Sequence, residues 1–250
     1  MCLILLAWQA HPAFPLVVAA NRDEFFARRT ATANFWPDHP HVLAGRDLEA
    51  GGAWLGLTLG GRFAALTNYR DPGAHKLSAP SRGRLVADYL IGNMSIDAYL
   101  DSLQPTAFNG FNLLLADRQR LVAFSNVSGL RHELAPGIYG LSNALLDTPW
   151  PKLGAGKTAL ESALASLPDD THLFQLLRDD AIHPDDNLPS TGVSREWERL
   201  LSAAFVRSPD YGTRCSTVIK VGADGTASFE EQTWLPGANS GERNRYMLRI

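Results

Sequence analysis

At 250 residues, with 45% hydrophobic and 20% charged side chains, the chain has the composition of a globular protein long enough to bury a sizeable core. Its formal net charge of -3 offers no basic face for nucleic acid and no polybasic membrane patch. Two cysteines, Cys2 and Cys215, cannot make a disulfide framework, which fits a reducing compartment, although one bridge between them stays open. The apolar start lacks a basic leader and turns polar at Gln9-Ala10-His11-Pro12, and no apolar run reaches the length of a membrane span. A cytoplasmic location is therefore expected.

In chain order, Cys2–Trp8, Leu16–Ala20, Ala53–Leu59 and Arg62–Asn68 are short apolar or β-branched runs separated by Pro and Gly, the pattern of strands. Leu59-Gly60-Gly61-Arg62 reads as a tight hairpin turn. Ser81–Ile91 has helical spacing, and Ile96–Leu103 continues as a short helix before Pro105. Gly110–Asp117 and Arg120–Ser125 form a second hairpin, and Gly137–Ser142 adds a strand. Lys157–Leu167, Leu173–Asp179 and Arg195–Ala204 make a helical block, after which Cys215–Val221 and Thr226–Trp234 return to strand. The order predicts an α+β layered fold with a largely antiparallel sheet, in a single domain over residues 1–250. Thr30–Pro40 and Asp185–Gly192 are expected to be pocket-lining loops, and Pro184–Gly192 and Gly237–Asn244 mobile loops.

The residue types that carry chemistry begin with Cys2. Removal of Met1 would leave a thiol titrating near ~8.5 beside a free α-amine near ~7.7–8.0, so the amine can serve as base to its own side chain. The competing explanation is a buried cysteine opening a core strand. Asn21-Arg22-Asp23-Glu24 is the densest polar cluster. Were Cys2 and Leu16 to head and tail adjacent antiparallel strands, the cluster would return to the amino terminus; otherwise it is a solvated loop. Asn68 and Asn143 each end a predicted strand, where a side-chain N–H can meet an oxyanion or simply close a turn. Arg214, at the mouth of the strand carrying Cys215, can bind a carboxylate or form a surface ion pair; alternation places the two on opposite faces. Gly154-Ala155-Gly156-Lys157-Thr158 resembles the end of a phosphate loop, but Pro151 stands where the pattern needs glycine, so it is expected to precede a helix. Asp38-His39-Pro40-His41 and His183-Pro184-Asp185-Asp186 lack metal-ligand spacing and read as exposed turns.

Taken in order, Met1-Cys2, Asn21-Arg22-Asp23-Glu24, Gly51-Gly52-Ala53-Trp54-Leu55-Gly56, Leu66-Thr67-Asn68-Tyr69-Arg70, Gly140-Leu141-Ser142-Asn143 and Tyr211-Gly212-Thr213-Arg214 resemble the NRDE family, also named transport and Golgi organisation proteins. That family is in turn similar to the choloylglycine hydrolase and penicillin V acylase branch of N-terminal-nucleophile hydrolases. The resemblance implies a four-layer αββα sandwich with largely antiparallel sheets. It implies catalytic roles for Cys2, Asp23, Asn68, Asn143 and Arg214, with Arg22 or Arg70 meeting an anionic substrate group. The branch usually has an arginine three residues before the aspartate; here that position is Ala20, and Arg22 is expected to substitute from a different strand face. The implied activity is hydrolysis of a small-molecule, non-peptide amide through a Cys2 thioester, with no metal or cofactor, and acyl transfer to an amine is not separable from it. A competing implication is a non-catalytic carrier or trafficking protein on the same scaffold, binding haem through Cys2 or His11.

Overall fold

Strand alternation decides how the chain is layered. The computed structural model describes residues 2–250; the expected removal of Met1 lies outside them. The strands are β1 (Cys2–Trp8), β2 (Leu16–Phe25), β3 (Thr30–Trp36), β4 (His39–Asp47), β5 (Leu55–Thr58), β6 (Phe63–Asn68), β7 (Phe111–Ala116), β8 (Leu121–Ser125), β9 (Arg131–Glu133), β10 (Gly137–Leu141), β11 (Tyr211–Val221), β12 (Thr226–Leu235) and β13 (Asn239–Arg249). The helices are α1 (Gly83–Ile91), α2 (Ile96–Ser102), α3 (Pro151–Leu164), α4 (Thr171–Leu176) and α5 (Arg195–Leu200). One sheet runs β10-β1-β2-β11-β12-β13 and the other β3 to β9 in sequence order. Every pairing between the described strands is antiparallel.

β1 is buried on both faces, and its alternate residues serve different layers. Cys2, Ile4, Leu6 and Trp8 join Val18, Ala20, Leu57, Ala65 and Leu114 in the core between the sheets. Leu3, Leu5 and Ala7 point the other way and pack with Leu153 and Leu160 of α3 and Leu173 of α4. On the far side, Leu85, Val86 and Leu90 of α1, with Leu100 of α2, cover Val42, Leu66 and Leu113. The result is the expected αββα sandwich, with two antiparallel sheets between two helical layers.

Two close approaches set the layer spacing. Gly156 lies inside α3 rather than ahead of a helix, and a Cβ there would come 2.7 Å from the Leu5 side chain. Of the two glycines that resembled a phosphate loop, Gly156 therefore allows α3 to sit close to β1. At the opposite layer, a Cβ on Gly52 would fall 2.4 Å from the Gly83 carbonyl carbon, where the chain before β5 crosses the start of α1.

Several expectations change. Thr30–Pro40 is not a loop but β3 with the turn into β4, and Asp38-His39-Pro40-His41 enters that second strand. Gly237–Asn244 mostly belongs to the edge strand β13. β2 does not stop at Ala20; it continues through the charged tetrapeptide to Phe25, because β1 and β11 pair with it on both sides. Cys2 and Cys215 both face Arg22, from β1 and β11 respectively. Two strand spacings of roughly 9.5 Å exceed the ~7 Å Cα limit of a disulfide, so no bridge joins them; both thiols are free.

The Gly52–Gly83 crossing is testable. Gly52→Ala meets backbone that cannot rotate away, so it is expected to cost about 1–3 kcal/mol and to lower the thermal midpoint by several degrees. Gly154→Ala, in helix α3 with nothing within 4 Å of its Cβ, is the control and should leave the midpoint unchanged or raise it.

Candidate active site

Register brings the polar end of β2 to the start of β1: Cys2 stands opposite Arg22, with Ala20 opposite Ile4. Alternation then divides the tetrapeptide. Arg22 shares the inter-sheet face with Cys2 and Ala20, which corrects the expectation that it would act from a different face than position 20: two residues apart on one strand, the two side chains point the same way. Its guanidinium reaches Glu24 at 3.9 Å and donates to Thr30 Oγ1 at 3.4 Å.

Asn21 and Asp23 point toward the helical layer and are almost wholly buried, at 0% and 2% exposure. Asn21 Nδ2 donates to the carbonyls of Leu177 and Ala204 at 2.7 and 2.8 Å. Its Oδ1 accepts from Ser216 Oγ at 2.6 Å, and Ser216 Oγ accepts from Trp234 Nε1. This residue ties sheet to helices. Asp23 Oδ1 accepts from Thr213 Oγ1 at 2.7 Å, and Val206 N–H donates to that hydroxyl in turn. Burial raises the Asp23 carboxyl above the usual carboxylate range, an effect that the nearby Lys152 and Arg22 charges oppose.

Cys2, Asp23, Arg22, Asn68 and Trp54 line one cavity of about 340 Å³ that lies against the opposite sheet. Burial pushes the Cys2 thiol up, while the Asp23 backbone N–H, hydrogen-bonded to it, pulls the other way. Ser142 Oγ donates to the Cys2 carbonyl at 3.0 Å. Asn143, two residues beyond β10, is buried and donates through Nδ2 to Asn68 O at 2.8 Å, while its own carbonyl accepts from Arg70 N–H. The two asparagines predicted for oxyanion work are thus in direct contact, but only Asn68 lines the cavity.

The other two arginines stand elsewhere. Arg70 is buried against Glu198, Nη1 to Oε2 at 2.8 Å, and lies over Trp150. It is not part of the Cys2 cavity. Arg214 turns to the chain after β2, donating from Nη1 to the carbonyls of Phe25 and Arg28 at 2.9 Å each. It borders a neighbouring cavity of about 440 Å³ with Cys215 and Glu231, separated from Cys2 by Arg22, Thr30 and Trp54. Burial raises the Cys215 thiol well above its ordinary range. His11 sits in the turn after β1, at the far end from Cys2. Six residues of strand separate them by about 20 Å, so the two cannot share an iron.

Sequence reasoning missed Arg82 and Arg28, which the opposite sheet and its helical layer bring to the cavity. Arg28 pairs with Asp47 at 2.8 Å and Glu49 at 3.3 Å. Arg82 donates to Gly110 O at 2.9 Å and has no ion pair among the described residues. Arg82 stands near the start of a predicted helix, and Arg28 carries no sequence signal.

With this geometry in view, the comparisons become informative. The sequence profile described as Transport and Golgi organisation 2 matches residues 1–236. The chain belongs to this family. It is 42% identical to the Transport and Golgi organization protein 2 homolog of Bos taurus over 94% of each chain. It is 37% identical to the Homo sapiens homolog over 94% of each, and 30% identical to the Drosophila melanogaster protein over 98% of this chain and 96% of that one. In fold it is similar to a Caenorhabditis elegans orthologue of N-acylethanolamine-hydrolyzing acid amidase, with a TM-score of 0.52 and 12% identity, covering 87% of this chain and 92% of that one. It is also similar to the C2A mutant of conjugated bile acid hydrolase from Clostridium perfringens, with a TM-score of 0.56 and 9% identity over 98% and 92%. At these identities the likeness is one of fold, that of the N-terminal-nucleophile hydrolases. No helix among the described residues is long and apolar enough to cross a membrane.

Beneath Asp23, Lys152 of α3 is buried and donates from Nζ to Leu201 O at 2.8 Å. Burial pushes its ammonium down to about 8, against the attraction of Asp23. A depressed lysine is charged at a cost below that value, and the cost disappears as the native group loses its proton. Stability should therefore rise between about pH 8 and pH 10.5 relative to a variant lacking the group. In denaturant titrations, the difference between wild type and Lys152→Met is expected to shift toward wild type across this window, by on the order of 2–3 kcal/mol. A difference independent of pH would show that Lys152 is not depressed.

Proposed function

We propose that this chain is an N-terminal-nucleophile amidohydrolase that cleaves a linear, non-peptide carbon–nitrogen bond through a Cys2 thioester. The observation that carries the reading is that Cys2, Asp23 and Asn68, from three separate strands, line one cavity. The raised thiol favours a neutral nucleophile whose proton leaves during attack, which requires a base at the sulfur. The α-amine of Cys2, once Met1 is removed, is that base. Sulfur attacks the carbonyl carbon as its proton passes to the amine. The tetrahedral adduct collapses with cleavage of the C–N bond, and the ammonium proton goes to the leaving amine. Water, deprotonated by the same amine, then adds to the thioester; the C–S bond breaks and the sulfur recovers a proton.

Within this reading Asn68 supplies the N–H that meets the oxyanion. Asn143 is assigned to holding Asn68, since its Nδ2 is already donated to the Asn68 carbonyl. Asp23 orients the amine, and Arg22 meets an anionic group on the substrate. Arg70 and Arg214 hold other parts of the protein together and are given no contact with substrate.

Intact mass of active protein should show Cys2 as the first residue. Iodoacetamide should label Cys2 once per chain and spare Cys215, whose thiol burial holds neutral. Against a panel of linear N-acyl amides, Cys2→Ala should abolish turnover, and Asn68→Ala should lower kcat by about 10²–10³-fold with an unchanged melting curve. Activity in protein that keeps Met1, or in Cys2→Ala, would overturn the mechanism.

A further inference from the structure

A second cavity, of about 510 Å³, opens beside the β10 edge of one sheet, where it faces β7, β8 and the edge strand β9 of the other. Ala123, Leu134, Leu141 and Leu146 give it apolar walls. Its volume lies in the range of small-molecule sites. The polar groups around it are mostly occupied with one another. Asp147 accepts from Gly140 N–H and Lys157 Nζ, Glu133 pairs with Arg120, and the Tyr139 hydroxyl donates to Ala135 O.

Two lining groups are not so occupied: the His132 imidazole, which is exposed to solvent, and Asn112, which is buried. Asn112 lines the cavity from β7 on the inter-sheet face and is 3% exposed. Both amide hydrogens are used, since Nδ2 donates to Thr67 Oγ1 at 3.1 Å and to Ala144 O at 2.8 Å. Those two contacts fix which way the carboxamide faces, because Ala144 O can only accept. Oδ1 then has no hydrogen-bond donor among the described residues. A buried acceptor at an apolar cavity is costly unless something donates to it.

We propose that this cavity is a binding site for a neutral amphiphile, an aliphatic body carrying one hydroxyl or N–H donor, with the donor placed on Asn112 Oδ1. A neutral head is favoured because both carboxylates of the lining are already paired. The site is independent of the Cys2 chemistry, although Asn112 grips the neighbours of both asparagines there, Thr67 beside Asn68 and Ala144 beside Asn143.

The test uses n-hexanol and its isomer methyl pentyl ether, which has the same atoms but no donor. In amide-detected NMR titrations of the full chain, hexanol should shift Asn112, Ala123 and Leu141 saturably. The ether should bind about 5- to 10-fold more weakly, the loss of one neutral hydrogen bond. Ala123→Phe, which fills the cavity from β8, should abolish saturable binding in protein that still melts cooperatively. Equal affinities for the two isomers would overturn the proposal, since Oδ1 would then not select the ligand. So would shifts that do not saturate or that map away from these residues. The isomer comparison is made in wild type, so it decides the matter even where the phenylalanine variant does not fold.

Discussion

A charged tetrapeptide in a central strand, covered on both faces, is the constraint around which this molecule is built. Asn21, Arg22 and Asp23 are all buried, in a place where unpaired polar groups would be strongly destabilising. The fold meets that demand by alternation. Asn21 and Asp23 are satisfied by the helical layer and by β11, through Leu177, Ala204, Ser216 and Thr213. Arg22 and Glu24 face the opposite sheet and are left near Cys2. A one-residue slip of β2 would exchange these sets, burying guanidinium among helices and removing Arg22 from the cavity. Register at this hairpin therefore determines both stability and the composition of the site.

The electrostatics of the site follow from the same burial. Cys2 and Asp23 are both shifted toward their neutral forms by desolvation. A preformed thiolate would need a dedicated cation against the sulfur, but Arg22 is shared with Glu24 and Thr30. The environment therefore suits a nucleophile that gives up its proton at the moment of attack. It is a poor setting for a permanently ionised one. Cys215 flanks the same arginine from the other side, is buried beside Glu231, and is likewise shifted toward its neutral form.

How much of this could be read from the sequence depends on where each contact comes from. β1, β6, β7 and β8 follow from apolar runs between Gly and Pro, and the meeting of Cys2 with the tetrapeptide follows from pairing β1 with the next strand. β3 and β13 are hidden because Thr30-Ala31-Thr32-Ala33-Asn34 alternates only through alanine, too small to mark a buried face, and Asn239-Ser240-Gly241-Glu242-Arg243 is polar throughout; such sequences are common on sheet edges, which is where both lie. α3 begins before Lys157 because Gly154 and Gly156 resemble loop residues until Leu5 is seen beneath the second of them. Arg70 and Arg214 looked equivalent to Arg22 as cations near strand ends. Only the fold reveals that one meets Glu198, 128 residues away, and the other a set of backbone carbonyls. Arg82 could not be anticipated, since no local pattern says which face of the opposite layer overlooks Cys2.

The two asparagines also acquire meaning from packing that no motif contains. Asn143 donates to the Asn68 carbonyl, and Asn112 bonds to Thr67 and Ala144, one residue before Asn68 and one residue after Asn143. These contacts bridge the gap between the two sheets, since β6 and β7 belong to one and β10 to the other. One backbone hydrogen bond, from Arg70 N–H to the Asn143 carbonyl, joins the chain segments after β6 and β10, and the carboxamides of Asn112 and Asn143 add the side-chain contacts that hold the strand ends framing Cys2. Ser142, bonded to the Cys2 carbonyl, extends the same link to β1. The positioning of Asn68 relative to Cys2 is thus a property of the join between sheets. It depends on three polar side chains that a purely apolar interface could not replace, because dispersion contacts alone do not fix direction.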